Sequence, residues 1–227
     1  MAVAVASQAQ KQKAPAESPQ ARRTQSLINK GDLAGAIAIC DEAIKLNPGS
    51  AEMYVKRGIA FRLQGALDKA IQDFDKATAL DPATTRNERS VADAYLNHGQ
   101  IQLSDLRPED AIVDFEKALR IFPANSRPYF DRAEARILVE DFVGAIADLD
   151  TYLTREKPES FSKALALADR SLAKHLLRHD TEAKKDFDSI PDLPPELKNG
   201  VLMHMGQLEA QLKILRVLRS QQKKSVA

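Results

Sequence analysis

The chain has 227 residues, of which 44% are hydrophobic, 29% charged and 5% aromatic, with no Trp. That is enough apolar material for a continuous core without a metal or disulfide staple, and a single cysteine, Cys40, excludes an intramolecular disulfide. The 33 Lys and Arg are interspersed with 32 Asp and Glu for a net charge of +1, which argues against phosphate neutralisation along a nucleic acid.

Residues 1–20 are Ala, Gln, Pro and Lys with hardly any bulky apolar side chain, so the reading is a disordered tail. Ala4-Val5-Ala6 faintly resembles a signal-peptide cleavage site but has no basic segment before it. A cytoplasmic protein is expected, or a periplasmic one if an export signal was trimmed. No stretch is long and apolar enough to insert in a membrane.

From residue 21 onward a pattern recurs at a spacing of 34. Ala36, Ala70, Ala111, Ala145 and Ala183 each precede Cys40, Phe74, Phe115, Leu149 and Phe187 by four, and all but Ala145 precede a proline, at Pro48, Pro82, Pro123 and Pro195, by twelve. Such a period marks one helix pair copied and stacked, because a lone pair cannot bury its own apolar face. Five units follow, at about 21–50, 51–84, 92–125, 126–159 and 164–197. In the clearest, Tyr54, Arg57, Gly58 and Phe61 share one helical face and Ala70, Phe74 and Ala77 another; Gly65 separates the helices and Pro82 stops the second. Small residues at Gly58 and Gly99 predict close helix crossings. Cys40 takes the place of Phe74 and Phe115, which makes it a buried small hydrophobe.

The copies are unequal. Leu106, Arg107 and Pro108 replace the glycine turn in the third unit, Ala133 stands at the glycine place in the fourth, and the fifth is degenerate. Two insertions, at 85–91 and 160–163, add seven and four residues, close to whole turns at about 3.6 residues per turn. Each reads as a lengthened first helix or equally as a longer loop.

This arrangement of small and aromatic positions resembles the tetratricopeptide repeat (TPR) family. The resemblance implies an all-α, right-handed superhelical solenoid, with the first helix of each pair lining a concave groove. Carried onto this chain, the groove positions are Glu52, Val55, Lys56, Ile59 and Arg62; Asp93, Leu96, Asn97, Gln100 and Leu103; Arg127, Phe130, Asp131, Glu134 and Ile137; then Leu165, Ala168, Asp169, Leu172 and His175. The implied partner is a protein or peptide segment anchored by one or two apolar side chains. Phe130, the largest apolar groove residue, is the expected anchor, open enough that its truncation should leave thermal stability nearly untouched. The two-carboxylate clamp of TPR co-chaperones is not reproduced. Its places hold Val55, Ile59, Asn97, Arg127 and Asp131, and Asp131 would repel an acidic tail.

No chemistry is legible. His175 and His179 are four apart, but no third or fourth ligand stands nearby, so no metal or cofactor is expected. Asp73 with Asp75 and Asp148 with Asp150 diverge on a helix, and there is no phosphate loop or nucleophile elbow. A noncatalytic adaptor is the reading.

Past Pro194 and Pro195, apolar residues at Leu197, Val201, Met205, Leu208, Leu212 and Leu215 predict a helix over 196–220. As a cap, taken as 198–220, it covers the open edge of the fifth unit, with a basic tail at 221–227. Met203, Ile214, Val217 and Leu218 widen its apolar face, and homodimerisation through this helix is the alternative.

Overall fold

The computed structural model describes residues 17–86, 88–155 and 160–225, and the expected tail over 1–16 lies outside them. Among the described residues there is no strand. Five helix pairs follow one another: α1 (Pro19–Asn29) with α2 (Leu33–Leu46), α3 (Ala51–Leu63) with α4 (Leu67–Leu80), and, after the single turn α5 (Pro82–Thr85), α6 (Arg89–Ser104) with α7 (Pro108–Ile121). Then come α8 (Arg127–Leu138) with α9 (Phe142–Arg155), α10 (Ser160–Leu176) with α11 (Asp180–Asp188), and the long α12 (Pro195–Ser225).

Helix boundaries depart from expectation where local chemistry favours more helix. Ser18 caps α1 by accepting a 3.2 Å bond from the Ala21 amide and Pro19 occupies the first turn, so the first helix starts inside the expected tail. All of 160–163 joins α10, a true helical extension; the other insertion divides between α5 and an early start of α6 at Arg89. At the far end α12 absorbs most of the expected basic tail.

The close crossings are as expected. A Cβ built on Gly58 would lie 2.5 Å from a ring carbon of Phe74, and one on Gly99 the same distance from Phe115. Both rings are fully buried. Where Leu149 replaces the ring, Ala133 replaces the glycine and both remain fully buried. In the fifth pair Ser171 fills this place, its hydroxyl donating to the Ala183 carbonyl at 2.8 Å, and Phe187 is turned out, 48% exposed. Cys40 is likewise buried, and burial pushes its thiol up to about 11, which makes it a packing residue at neutral pH.

Beside the crossings of the second, fourth and fifth pairs runs a partly buried ion pair, and in the third a histidine–carboxylate contact takes its place. Arg57 reaches Asp73, Arg132 reaches Asp148 and Arg170 reaches Asp186 at 2.7, 2.6 and 2.7 Å, while His98 meets Asp114 at 2.5 Å. Every one of these pairs is 16 residues apart. An outward carboxylate two positions after or one unit before ties to the next pair: Asp41 to Arg57, Asp75 to Tyr95 and Lys117, and Asp150 to Arg170. The doublets Asp73/Asp75 and Asp148/Asp150 thus diverge for a structural purpose, one oxygen pair inward and one along the stack.

The turn inside each pair is also constant. Gly31 and Gly65 adopt φ of 79° and 80°, and Leu106, Glu140 and Arg178 take the same left-handed conformation at 58°, 67° and 65°. The turn geometry is therefore imposed by the helix pair even where no glycine eases it.

Replacing Gly58 by Leu forces the Phe74 ring out of a filled space and should destabilise the protein by about 1 to 3 kcal/mol. Thermal melting checks this; an unchanged midpoint would mean that α3 and α4 do not cross there.

Candidate functional site: a concave face partly filled by the C-terminal helix

The first helices α1, α3, α6, α8 and α10 line one side of the stack, and α12 turns back across that side instead of stacking beyond α11. Val201 shares a buried cluster with Ala164 and Ala168 of α10, with Met205 packed against it. Leu208, Leu212 and Leu215 share another with Phe130, Ala133, Ile137 and Leu138 of α8 and with Leu172 of α10. Farther along, Arg216 makes a two-toothed bond to Glu140 at 3.0 and 2.9 Å, and Arg219 donates to the Leu138 carbonyl and to Glu109 at 2.9 and 2.7 Å. The cap is an amphipathic helix laid in the groove, and its apolar stripe finds there the apolar residues that the end of the stack was expected to supply.

This placement corrects the reading of Phe130. Its ring is 4% exposed, 5.4 Å from the Tyr152 ring and stacked 6.3 Å from the imidazole of His204. It is core under α12, not an open anchor. Ile137, Ala168, Asp169 and Leu172 are buried with it. Val55, Ile59 and Leu96 are also buried, for a different reason. Val55 and Ile59 belong to a cluster that includes Ile28 and Val91 on neighbouring first helices, and Leu96 clusters with Ala135 of α8.

What remains open lies over α3 and α6. Asn97 is exposed, and Glu52, Lys56, Arg62, Asp93 and Gln100 are half-buried. Lys56 bonds Gln25 and pairs with Glu17, each at 2.8 Å, Glu52 accepts from the Ser18 amide at 3.3 Å, and the buried Nε of Arg62 has no hydrogen-bond partner.

At the seam between the open and filled parts is a pocket of about 270 Å³, lined by Gln100, Arg127, Asp131, Glu134, His204 and Gln207 among others. Asp131 is held by Arg127 and Gln100, each at 2.7 Å. His204 Nε2 lies 2.9 and 3.1 Å from the two oxygens of fully buried Asp169 and 3.4 Å from Glu134. Burial, then the negative charges of Asp169 and Asp131, holds the Glu134 carboxyl well above its usual range. Burial also raises the Asp169 carboxyl against the pull of His204; the imidazole is raised because Asp169 and Glu134 outweigh its own burial. Glu134 and Asp169 stood among the groove positions; His204 did not. Its signal was available: it sits three residues after Val201 and four before Leu208, a polar residue on an apolar stripe.

The two histidines weighed as a metal pair are used otherwise. His175 Nδ1 is 2.7 Å from Asp180, and His179 lies beyond the end of α10, at the residue before α11, with no side-chain capping bond. Among the described residues no helix is long and apolar enough to cross a membrane.

Stacked helix pairs around a concave face define an α-solenoid of helix-turn-helix repeats. Residues 22–84 and 92–125 match family models described as tetratricopeptide repeat. Tetratricopeptide repeat protein 36 of Bos taurus is 33% identical over 111 residues, 48% of this chain and 57% of its own. The human mitochondrial import receptor subunit TOM70 is 32% identical over 123 residues, 54% of this chain and 19% of its own. The chain thus spans less than two thirds of either relative. The solved structure of YrrB, a TPR protein with an unusual peptide-binding site, shares the fold at a TM-score of 0.61 and 15% identity, covering 84% of this chain and 92% of that one. Residues 22–84 and 92–125 are thus tetratricopeptide repeats, within a chain that shares the fold of a solved TPR structure.

Phe130→Ala should lower stability by about 3 kcal/mol or more, by leaving a cavity between α8 and α12. A melting temperature equal to the parent's would place that ring outside the core after all.

Proposed function

We propose that the protein is a noncatalytic adaptor that holds a partner segment on the part of its concave face over α3 and α6. The observation that carries this reading is α12 itself: a helix with one apolar stripe and polar flanks lies in the adjoining stretch of the same face. A face built this way accepts such a segment. In the open stretch the groups a partner would meet are mostly polar, with Asn97 exposed and Glu52, Lys56, Arg62, Asp93 and Gln100 half-buried. These orient a segment, and exposed Leu63 and Ile101, 48% and 50% accessible at the C-terminal parts of α3 and α6, add apolar contact. The peptide-binding site named for YrrB and the receptor role named for TOM70 agree with this class of function.

The test uses a partner captured with the whole chain and then purified. Asp93→Lys combined with Asn97→Arg should weaken its binding tenfold or more with little change in melting temperature, since Asn97 is exposed and Asp93 is half-buried with no polar contact among the described residues beyond an ion pair to exposed Arg89. Lys76→Glu, on the exposed face of α4, serves as control. If the control variant loses binding and the groove variant does not, the partner sits elsewhere.

A second reading is assembly through the outer face of α12, favoured by Met203, Ile214, Val217 and Leu218, which remain 66, 47, 50 and 45% exposed. Removing α12 would uncover Phe130, Ile137 and Leu172 and create a new sticky face. Ile214→Lys with Val217→Lys is the cleaner probe. Light scattering should show dimers of the parent becoming monomers in this variant; a parent that is monomeric at all concentrations removes the reading.

A further inference from the structure

We propose that Glu134, Asp169 and His204 form a binding site for a divalent transition-metal ion, with zinc the best fit, that fastens α12 into the concave face. One ligand atom from each lies within 4.8 Å of the others, and the three come from three separate helices, α8, α10 and α12.

The geometry is close to a coordination shell already. Zinc bound at about 2.0 to 2.1 Å in a tetrahedron sets its ligand atoms about 3.3 to 3.4 Å apart. His204 Nε2 stands 2.9 Å from Asp169 and 3.4 Å from Glu134, and the ligand atoms of Glu134 and Asp169 lie within 4.8 Å of each other, so an ion among the three requires shifts of no more than about an ångström. Both carboxylates converge on the one imidazole nitrogen that would ligate. Glu134, unlike Asp169, takes no hydrogen bond of its own from any described residue and has only the approach of His204. A carboxylate half-buried at the wall of the pocket and met by no other described side chain is stabilised by a counter-charge.

Charge favours a dication. Arg127 is committed to Asp131, so these two offset one another. Binding would release to solvent whatever protons Glu134 and His204 hold; with the imidazole neutral, the two carboxylates then carry two negative charges, which one divalent ion neutralises. The donor set is one imidazole nitrogen with two carboxylate groups. Magnesium and calcium prefer more oxygens and no nitrogen, whereas this mixed set suits zinc and its first-row neighbours. A fourth position opens on the pocket lined by Gln100, Gln207 and Gln211, where water or an amide oxygen can complete the shell.

Such an ion would act as a latch. His204 is the only one of the three on α12, so a metal bridging it to α8 and α10 resists lifting of the helix from the groove. This goes beyond partner binding over α3 and α6 and does not depend on it.

The experiment is calorimetric titration of the whole, chelator-treated chain with zinc chloride, alongside Glu134→Gln, His204→Gln and the double variant His175→Ala/His179→Ala. Gln at 134 keeps the shape of the carboxyl group and preserves the fold, so its loss of binding speaks for ligation. Expected is one zinc per chain in the parent and in the 175/179 variant, with affinity reduced at least tenfold in each of the other two. A hundredfold excess of zinc over its Kd should raise the parent's melting temperature by roughly 5 to 10 °C and slow amide exchange in α12, with neither effect in Glu134→Gln. Absence of one-site binding in the parent overturns the proposal. So does binding that survives Glu134→Gln and His204→Gln unchanged, or that disappears with His175 and His179.

Discussion

The contact on which the architecture depends is that between a small residue on the first helix of a pair and a bulky one on the second. Gly58 against Phe74 and Gly99 against Phe115 leave no room even for a methyl group, so the helices sit at a separation set by the thickness of a ring. Ala133 against Leu149 does the same with both partners changed. Repeating one crossing repeats one rotation between neighbours, and that rotation makes a concave side at all. The buried carboxylates Asp73, Asp114, Asp148 and Asp186 then fix which way their helices are turned, since each must meet a polar partner to offset the cost of burial.

Much of this was legible because it was carried by residue type at a fixed spacing. Gly58, Phe74, Ala77 and Pro82 announce their roles by size and by backbone restriction. The ion pairs were not legible in the same way. Asp73 and Asp75 look alike in a sequence, and only the helix crossing decides that one points inward to Arg57 and the other along the stack to Tyr95 and Lys117. The turns at Leu106, Glu140 and Arg178 were hidden because left-handed backbone usually shows itself through glycine, and here tertiary packing overrides that preference.

The groove was half legible. The positions that face the concave side were placed by the resemblance to the repeat family, which says which way a residue points but nothing about what lies over it. The apolar stripe of α12 suits any apolar surface, so its destination on α8 and α10 depended on a chain reversal at Pro191–Pro195 that no local signal encodes. Phe130 and Asp131 consequently moved from a binding surface to a core and a salt bridge, whereas Asn97 lies exposed and Asp93 half-buried. His204 was missed because a lone histidine among leucines reads as an interruption, until Asp169 is seen beneath it.

The bond from Arg219 to Glu109 joins residues 110 apart and closes a loop that spans the whole second half of the stack. Apart from the contacts of α12 with α7, α8 and α10, the packing among the described residues is short-range, each pair touching the next. During synthesis the five pairs can therefore form in order as they emerge, each on the last, whereas the surface that α12 covers stays bare until α12 itself has been made. The nascent chain passes through a stage in which Ile137, Leu172 and Phe130 are a wet apolar trough. Whatever meets the chain at that stage competes with its own helix for the same floor, and the outcome is settled by the rate of a single long loop closure.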